Sequence, residues 1–384
     1  MSETNAPSTS LTSRLTSLDA LRGFDMLWIM GGDSIGHALA NMEGADSGVM
    51  KAVATQLDHV AWEGFRFYDL IFPMFVFIVG VSLVYSLTKT VEQAGRKSAM
   101  MRVIRRGLLL WLIGIIYYGG WSKGIYNAET DEGIRLMGVL QRIGLCYLFA
   151  GLLFLYLKPR GLVIALTSLL LGYWALLTFV AAPGQPAVSF EEGKNFTNWF
   201  DSQYLPFFKW DGPHDPEGIL STLPAIGTCL FGVLAGLLLR NTNITSIRKT
   251  TWLAGAGIVA VVIGYLWGLQ FPIIKKLWTS SFVLVAAGYS AILLATFHWI
   301  IDIKGHQKWA LPFIWIGLNP ITIYLLGNLI NFDDLAARVL GGPVSAFADG
   351  IAHGMGAVLI AIGGMLLGLL VAWFLHKKKL YLRL

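Results

Sequence analysis

The stretch Tyr68–Thr88 reads YDLIFPMFVFIVGVSLVYSLT, and Asp69 is its one charged side chain. A helix crosses a bilayer with about 20 mostly apolar residues, so this stretch predicts a membrane span. We find nine further stretches of this kind, at residues 18–40, 103–120, 136–157, 161–181, 219–239, 252–269, 281–301, 310–330 and 356–376. The sequence therefore predicts an all-α polytopic membrane protein with about ten transmembrane helices in one bundle.

The composition supports this class. Of the 384 residues, 55% are hydrophobic and 14% are charged, against roughly 25% charged residues in soluble domains. Residues 1–17 are polar and rich in Ser and Thr, without the apolar run of a cleaved signal peptide. We predict a cytosolic N-terminal tail at 1–17, a single transmembrane domain at 18–376 and a basic cytosolic C-terminal tail at 377–384.

The distribution of basic residues predicts the topology. With ten spans, 19 of the 29 Lys and Arg fall on the side of the two termini, so the positive-inside rule places both termini in the cytosol. The net charge of +6 is then a topology signal, and we expect no nucleic-acid partner. The long loops, 41–67, 182–218 and 331–355, lie on the opposite face. They carry carboxylates and Trp, so we expect a site there for a sugar or a cation.

The first span contains an unusual number of ionisable residues. Asp19, Arg22 and Asp25 are spaced three apart on one helix face, so Arg22 can neutralise either carboxylate. This trio can be a structural ion-pair cluster or part of a site. Asp33 has no basic partner in the span, and ionisable residues in membranes are functional candidates by default. We therefore predict a site role for Asp33.

His59 precedes the second span and is the candidate catalytic base. A histidine beside a carboxylate in a partly dry pocket suits general-base catalysis, although a loop histidine can equally be ordinary polar surface. Asp69 is expected to cap the second span, with Pro73 bending it, and Trp62 can instead anchor the chain at the membrane interface. The neighbouring candidates for substrate binding are Asp58, Trp62, Glu63 and Asp69.

Two groups of cations could meet phosphates. Arg105 and Arg106 belong to a basic cluster at the start of the third span, completed by Arg96, Lys97 and Arg102. Such a cluster can serve topology alone, bind the phosphates of membrane lipids, or hold those of a cytosolic cofactor such as coenzyme A. Arg142 lies within the fourth span beside Gln141. It needs an anionic partner, which is either a buried Asp or a ligand.

Later segments add two further candidates. Pro216 after Asp215 predicts a helix start capped by Asp215, with Glu217 in the first turn. Asn319 precedes Pro320 in the ninth span, where the proline can open a polar pocket. Cys146 and Cys229 show no metal or redox spacing, and we predict no metal site.

Six segments occur in an order found in one family: LDALRGF at 18–24, HVAWEG at 59–64, YDLIFPMFVFIVG at 68–80, GVLQRIG at 138–144, DPEGILST at 215–222 and GLNPI at 317–321. Over residues 15–380 the chain resembles the heparan-alpha-glucosaminide N-acetyltransferase family of transmembrane acyltransferases, in its bacterial branch. The resemblance implies transfer of acetyl from cytosolic acetyl-CoA to the amino group of a glucosamine on the opposite face. It also implies a multi-pass protein of the bacterial inner membrane.

The resemblance also assigns roles. It makes His59 the catalytic residue, as base or as acetyl acceptor, and Asp33 stands where the lysosomal members have an asparagine. On the donor side, the candidates to hold acetyl-CoA are Arg105, Arg106, Arg142 and Gln141. On the acceptor side, Glu217 and Asn319 join the substrate-binding candidates, Asn319 as an oxyanion donor.

Two other functions explain part of the same pattern. A proton-coupled secondary transporter of a small polar solute could use Asp25, Asp33 and Arg142, but it does not account for the outer loops around His59. A structural membrane scaffold does not account for Arg142. The sequence leaves open the acceptor sugar, a ping-pong or ternary-complex mechanism, and whether the chain forms a homodimer.

Overall fold

The computed structural model describes residues 15–44, 48–127 and 129–382, without the side chain of residue 328. Residues 1–14 of the predicted N-terminal tail and 383–384 of the predicted C-terminal tail therefore lie outside the described residues. The helices are α1 Thr16–Ala40, α2 Gly48–Gln56, α3 Phe67–Tyr117, α4 Val139–Tyr156, α5 Pro159–Phe179, α6 Phe196–Tyr204, α7 Thr222–Arg240, α8 Ser246–Gly268, α9 Ser280–Phe297, α10 Leu311–Gly317, α11 Pro320–Leu329, α12 Phe332–Leu340, α13 Pro343–Asp349 and α14 Met355–Lys377. A π-helical turn, His298–Ile303, extends α9, and a 3₁₀ turn, Lys308–Ala310, precedes α10. Two short strands, β1 Tyr126–Asn127 and β2 Glu132–Gly133, pair antiparallel.

Helix α3 is a hairpin of two arms. Its 51 residues would extend about 75 Å as a straight helix, more than twice the thickness of a bilayer core. Gly95 interrupts it with φ +79° and ψ 168°, a conformation open to glycine because it lacks a Cβ. Side chains from both arms, Leu83 and Val103, pack against Gly151, so the arms run side by side. The arms 67–94 and 96–117 match the predicted second and third spans.

Seven helices of the described residues are long and apolar enough to cross a membrane, or eight if the pair formed by α10 and α11 is one bent span. That pair bends by 69° between Gly317 and Pro320, so the predicted ninth span, 310–330, is not one straight helix. The charged helix α1 fails this criterion of apolarity. The protein is thus a multi-pass helical membrane protein, whereas ten spans and the cytosolic position of the termini stay predictions.

The helices form an inner and an outer set. The first arm of α3 and the helices α7 and α9 are mostly buried, whereas α5, α8 and α14 bury less than a third of their apolar windows. Exposed apolar side chains on α8 such as Ile258, Val262 and Leu266 suit contact with lipid tails, which replace water there. The charged helix α1 packs tightly against α10, because Gly23 and Gly317 leave no room for a Cβ at the crossing.

Four loops meet at one end of the bundle, which we call the loop end: 57–66, 118–138, 180–221 and 269–279. Trp62 Nε1 donates to the carbonyl of Phe190 over 2.9 Å, and Gly64 N donates to the carbonyl of Ile273 over 2.8 Å. The opposite end, which we call the tail end, contains the turn at Gly95 and residues 378–382. A site built from several of these four loops therefore lies at the loop end.

Candidate active site

His59 and Asp69 form a hydrogen-bonded pair at the loop end. His59 Nδ1 lies 2.8 Å from Asp69 Oδ1, and the Asp69 side chain is buried while that of His59 is 47% exposed. A carboxylate at Nδ1 favours the tautomer that carries its proton there, so Nε2 keeps the basic lone pair. The pair thus has the composition of a general base with its orienting acid.

The other carboxylate oxygen of Asp69 fixes the loop that carries His59. Asp69 Oδ2 accepts hydrogen bonds from the backbone N–H groups of Arg66, over 3.1 Å, and Val60, over 3.3 Å. The bond from Arg66 confirms the predicted cap of this helix. The helix continues through Pro73, and the one internal break in its backbone is at Gly95.

Lys275 contacts both His59 and Asp69, and it was not among the residues predicted from the sequence. Its Nζ lies 3.0 Å from His59 Nδ1, 3.2 Å from Nε2 and 3.5 Å from Asp69 Oδ1. Burial lowers the pKa of the Lys275 ammonium from its ordinary value, so this lysine gives up a proton more readily than a surface lysine. The one sequence signal was a Lys-Lys pair in a loop on the acidic face.

Tyr68 separates Asp33 from His59. Its ring centroid lies 4.7 Å from that of His59, and its other side packs against Gly32, where a Cβ would come within 2.9 Å of it. The Asp33 side chain is 58% exposed and lies 3.3 Å from His37 Nε2. The prediction that Asp33 has no basic partner in its span is therefore wrong, because His37 lies one turn further along the same helix.

The other predicted residues of loop 57–66 surround His59. Asp58 accepts from the His59 backbone N–H over 2.8 Å and pairs with Arg66 over 3.1 Å. Trp62 is held by its bond to loop 180–221, and the backbone of Glu63 bridges to Ile274. Exposed carboxylates and a fixed indole therefore line the approach to His59.

A buried ion cluster lies beneath this loop surface. Arg135 donates to both carboxylate oxygens of Asp215, over 2.9 and 2.7 Å, and to Glu217 over 2.6 Å. Its guanidinium also lies over the rings of Tyr118 and Trp210. Arg135 was missed because its partners are 80 and 82 residues away in sequence.

The predicted helix start at Pro216 is wrong. Helix α7 begins at Thr222, and Asp215 accepts bonds from Arg135 and from the N–H groups of Trp210 and Glu217. Its carboxylate is thus committed to a turn and an ion pair, so Glu217 lies in that turn and outside the first turn of the helix.

Arg142 and Gln141 lie below the same cluster. The Arg142 side chain is fully buried, donates to Ser221 Oγ and the carbonyl of Gly218, and lies 4.8 Å from the Trp278 ring. Its Nε and Nη1 have no hydrogen-bond partner among the described residues, so the expected carboxylate partner is not found there. Gln141 donates to the carbonyl of Arg135. Both residues thus face the loop end.

A cavity of about 260 Å³ opens nearer the tail end. Arg22, Arg102 and Arg106 line it together with apolar side chains from α3 and α4. Three of its buried polar atoms have no hydrogen-bond partner in the described part of the chain: Arg106 Nε, Ser86 Oγ and Tyr147 Oη. Cations and unpartnered donors in an apolar cavity suit a ligand that carries phosphate and hydrogen-bond acceptors. Arg105 is exposed and does not line this cavity.

Asn319 belongs to the tail end. Its side chain donates to the carbonyl of Leu380 over 2.9 Å and accepts from the N–H of Leu382 over 3.3 Å. Its neighbours Leu318 and Pro320 line the arginine cavity. The structure therefore does not bring Asn319 to His59.

The His59–Asp69 pair and the arginine-lined cavity both lie along the first arm of α3. Asp69 holds His59, and Phe75, six residues later, lines the arginine cavity. Six residues of α-helix rise about 9 Å. An extended ligand bound in the cavity therefore needs to reach only a short way past Phe75 to approach His59.

The buried carboxyl group of Asp201 should make the stability of the folded protein depend on pH. It is buried, Oδ1 accepts from the N–H of Ile219, and Oδ2 has no partner among the described residues. Burial raises its pKa to about 7. This pKa is above that of an Asp in the unfolded chain, so protonation of Asp201 stabilises the folded protein, and the stabilisation is complete below about pH 4. It is lost as the pH rises through 7, by at most about 1.4 kcal/mol per pH unit.

Asp201→Asn should remove this dependence, because an amide stays neutral at every pH. We expect the variant to melt close to the wild-type temperature near pH 4 and above it near pH 8, measured by thermal unfolding in detergent. Glu191→Gln, an exposed carboxylate of the same loop, is the control. Equal pH profiles for wild type and Asp201→Asn would contradict the assignment.

Comparison with known proteins gives a consistent result. The family model described as "Heparan-alpha-glucosaminide N-acetyltransferase, catalytic" matches residues 14–267. The chain is also similar to two curated proteins named heparan-alpha-glucosaminide N-acetyltransferase. It is 27% identical to the one from Homo sapiens over 369 residues, which is 82% of this chain and 53% of that protein. It is 26% identical to the one from Mus musculus over 377 residues, 84% of this chain and 56% of that protein. The chain thus spans about half the length of the curated relatives it matches.

Proposed function

Because this chain belongs to the heparan-alpha-glucosaminide N-acetyltransferase family, we propose that it is a membrane-embedded N-acetyltransferase. It transfers acetyl from acetyl-CoA to the amino group of glucosamine or of a glucosamine-terminated saccharide. The observation that supports this most is the exposed His59, held by the buried Asp69, above an arginine-lined cavity that opens nearer the other end of the bundle.

His59 acts as the base. A glucosamine ammonium must lose a proton before its nitrogen can attack a thioester, and His59 Nε2 accepts that proton while Asp69 holds Nδ1–H. The nitrogen then bonds to the acetyl carbon, the carbon–sulfur bond breaks, and the imidazolium gives its proton to the departing thiolate. The nitrogen loses its second proton to solvent, which leaves a neutral amide. In a ping-pong variant His59 itself first carries the acetyl group.

Lys275 replaces Asn319 as our candidate for oxyanion stabilisation. A tetrahedral intermediate needs hydrogen-bond donors close to the reacting carbon. The Lys275 ammonium lies within 3.2 Å of both ring nitrogens of His59, whereas Asn319 binds the C-terminal segment. The cationic charge of Lys275 is therefore available beside the base.

Acetyl-CoA enters from the tail end, which we propose faces the cytosol. Arg22, Arg102 and Arg106 would hold its phosphates, because guanidinium groups bind phosphate oxygens in a bidentate way. The apolar walls of the cavity would hold the pantetheine arm, which points the thioester toward His59.

The amino sugar binds at the loop end, on the non-cytosolic face. Asp33, Asp58 and Glu63 offer carboxylates to an ammonium and to sugar hydroxyls, and Trp62 offers an apolar ring face. Each of these side chains lies on or beside the loop that carries His59. We place the protein in a bacterial inner membrane, with both termini in the cytosol.

The test of this function is the release of free thiol from acetyl-CoA by detergent-purified protein, with and without glucosamine. We expect release that depends on glucosamine and needs no ion gradient. Release without sugar, with labelled acetyl retained on the protein, would support the ping-pong variant. No release with a range of amino sugars would contradict an acetyltransferase and favour a transporter.

Arg106→Gln tests the donor half-site. We expect the KM for acetyl-CoA to rise about 10- to 150-fold with little change in kcat, because a hydrogen bond to a charged group contributes roughly 1.5–3 kcal/mol. Steady-state kinetics at saturating glucosamine measure this. Arg248→Gln, which changes an exposed arginine in the first turn of α8, is the matched control. If Arg105→Gln raised the KM and Arg106→Gln did not, the phosphates would bind outside the cavity.

A further inference from the structure

Three side chains at the loop end converge in a way that the proposed acetyl transfer does not use. Glu192, Asp211 and His214 place one oxygen or nitrogen each within 4.8 Å of one another. His214 Nε2 lies 3.4 Å from Glu192 Oε1 and 3.8 Å from Asp211 Oδ2. Ligands of a tetrahedral zinc ion at about 2.0–2.1 Å lie roughly 3.3 Å apart, close to the two distances that His214 makes.

His214 distinguishes these three side chains from an ordinary cluster of acidic residues. Its side chain is 96% buried, and neither ring nitrogen has a hydrogen-bond partner among the described residues. Buried polar groups are normally hydrogen-bonded, and an exception calls for an explanation such as an ion. Nε2 faces two carboxylate oxygens at 3.4 and 3.8 Å, longer than an ordinary hydrogen bond to a carboxylate, and this spacing leaves room for a metal ion that all three groups share.

The local backbone pre-arranges two of the three ligands. Asp211 and His214 are joined by a tight turn, in which Asp211 N donates to the carbonyl of His214 over 3.1 Å and Gly212 has φ +70°. Asp211 and His214 therefore project from one rigid turn, and Glu192 approaches from another part of the same loop. Asp211-x-x-His214 was visible in the sequence, but Glu192 is 19 residues away.

Lys276 occupies the position of a cation. Its Nζ lies 3.0 Å from Glu192 Oε1 and 2.9 Å from Asp211 Oδ2, the oxygens that a metal would use. The Lys276 side chain is 32% exposed, so it can turn out to solvent when a divalent ion arrives. The ammonium is thus an internal competitor that keeps the two carboxylates neutralised when no metal is bound.

We propose that Glu192, Asp211 and His214 form a zinc site at the loop end and that Zn²⁺ displaces the Lys276 ammonium. One nitrogen and two carboxylate ligands suit Zn²⁺ with a fourth position open to water, whereas Ca²⁺ and Mg²⁺ take oxygen ligands. Because Lys276 adjoins Lys275, the site also adjoins the segment that reaches His59.

Equilibrium dialysis of Zn²⁺ against the full chain in detergent, after treatment with a chelator, tests the site. We expect one saturable equivalent for wild type. Lys276→Met should bind about tenfold more tightly, because the competitor is gone. His214→Gln should bind at least about tenfold more weakly, since the loss of even an outer-shell partner of a metal costs 10- to 100-fold. Excess Ca²⁺ should not displace the zinc.

Matched controls distinguish zinc binding at this site from zinc binding to surface histidines and from a general effect of removing a positive charge. Lys194→Met removes an exposed lysine of the same loop that pairs with Glu191, and His353→Gln removes an exposed histidine; both should bind as wild type does. Equal zinc binding by wild type, Lys276→Met and His214→Gln would overturn the proposal, as would no binding by Lys276→Met. The Lys276→Met result is decisive even if His214→Gln does not fold, and it is independent of acetyl transfer.

Discussion

His59→Gln is expected to lower kcat for acetyl transfer by about 10³-fold, within the range of general-base catalysis. Glutamine keeps the polarity and most of the volume of histidine but has no basic nitrogen, so the glucosamine ammonium has no acceptor for its proton. The 47% exposure of the His59 side chain means that the substitution opens little buried space. Glucosamine-dependent thiol release at saturating acetyl-CoA measures the effect.

The control for this variant is His353→Gln, which changes an exposed histidine and should leave kcat unchanged. The melting temperature of His59→Gln should stay close to that of wild type. A kcat within a factor of a few of wild type, in a folded protein, would contradict the role of His59 as base or as acetyl acceptor.

Asp69→Asn is expected to lower kcat by about 10²- to 10³-fold with an unchanged KM for acetyl-CoA. The N–H groups of Val60 and Arg66 donate to Asp69 Oδ2, so an asparagine would turn its oxygen toward them and its NH₂ toward His59 Nδ1. That NH₂ can donate but not accept, which forces the imidazole proton onto Nε2. The base then has the wrong tautomer, as happens when a triad aspartate becomes asparagine.

Asp69 acts through His59 and is a positioning residue, so a double-mutant cycle tests it. Asp69→Asn should have little further effect on kcat when His59 is already glutamine, because residues that act as a unit are not additive. If the fold-reductions in kcat caused by the two substitutions multiplied in the double variant, Asp69 would contribute independently of His59. Thermal melts of all four proteins separate these kinetics from loss of fold.

Local pattern was enough to predict the features that depend on neighbouring residues. The apolar stretches predicted a helical membrane protein, although they did not show that the ninth span is bent by 69° beside Pro320. The cap by Asp69 was also predictable, because a carboxylate three residues into a helix commonly accepts from the N-cap.

Contacts between distant segments could not be predicted. Lys275 reaches His59 across 216 residues, and Arg135 reaches Asp215 across 80. One sequence carries no signal that joins such pairs, because many packings of the predicted helices satisfy the same apolar pattern. For the same reason Asn319 was expected near the base, although it binds the C-terminal segment.

The assignment of Asp215 failed for a related reason. Asp-Pro is a good helix start in isolation, but a buried arginine competes for the same carboxylate. Arg135 makes two hydrogen bonds to it, and leaving a buried charge without its partner costs about 3–5 kcal/mol. The distant ion pair therefore outweighs a cap that contributes roughly 1 kcal/mol.

The central claim is that acetyl-CoA and the amino sugar approach from opposite faces of the membrane. Sealed proteoliposomes with glucosamine trapped inside and labelled acetyl-CoA outside test it most directly. We expect labelled N-acetylglucosamine inside the vesicles, about 10³-fold less of it per unit time with His59→Gln protein, and none with protein-free vesicles. Product that forms only when both substrates share one compartment would contradict it.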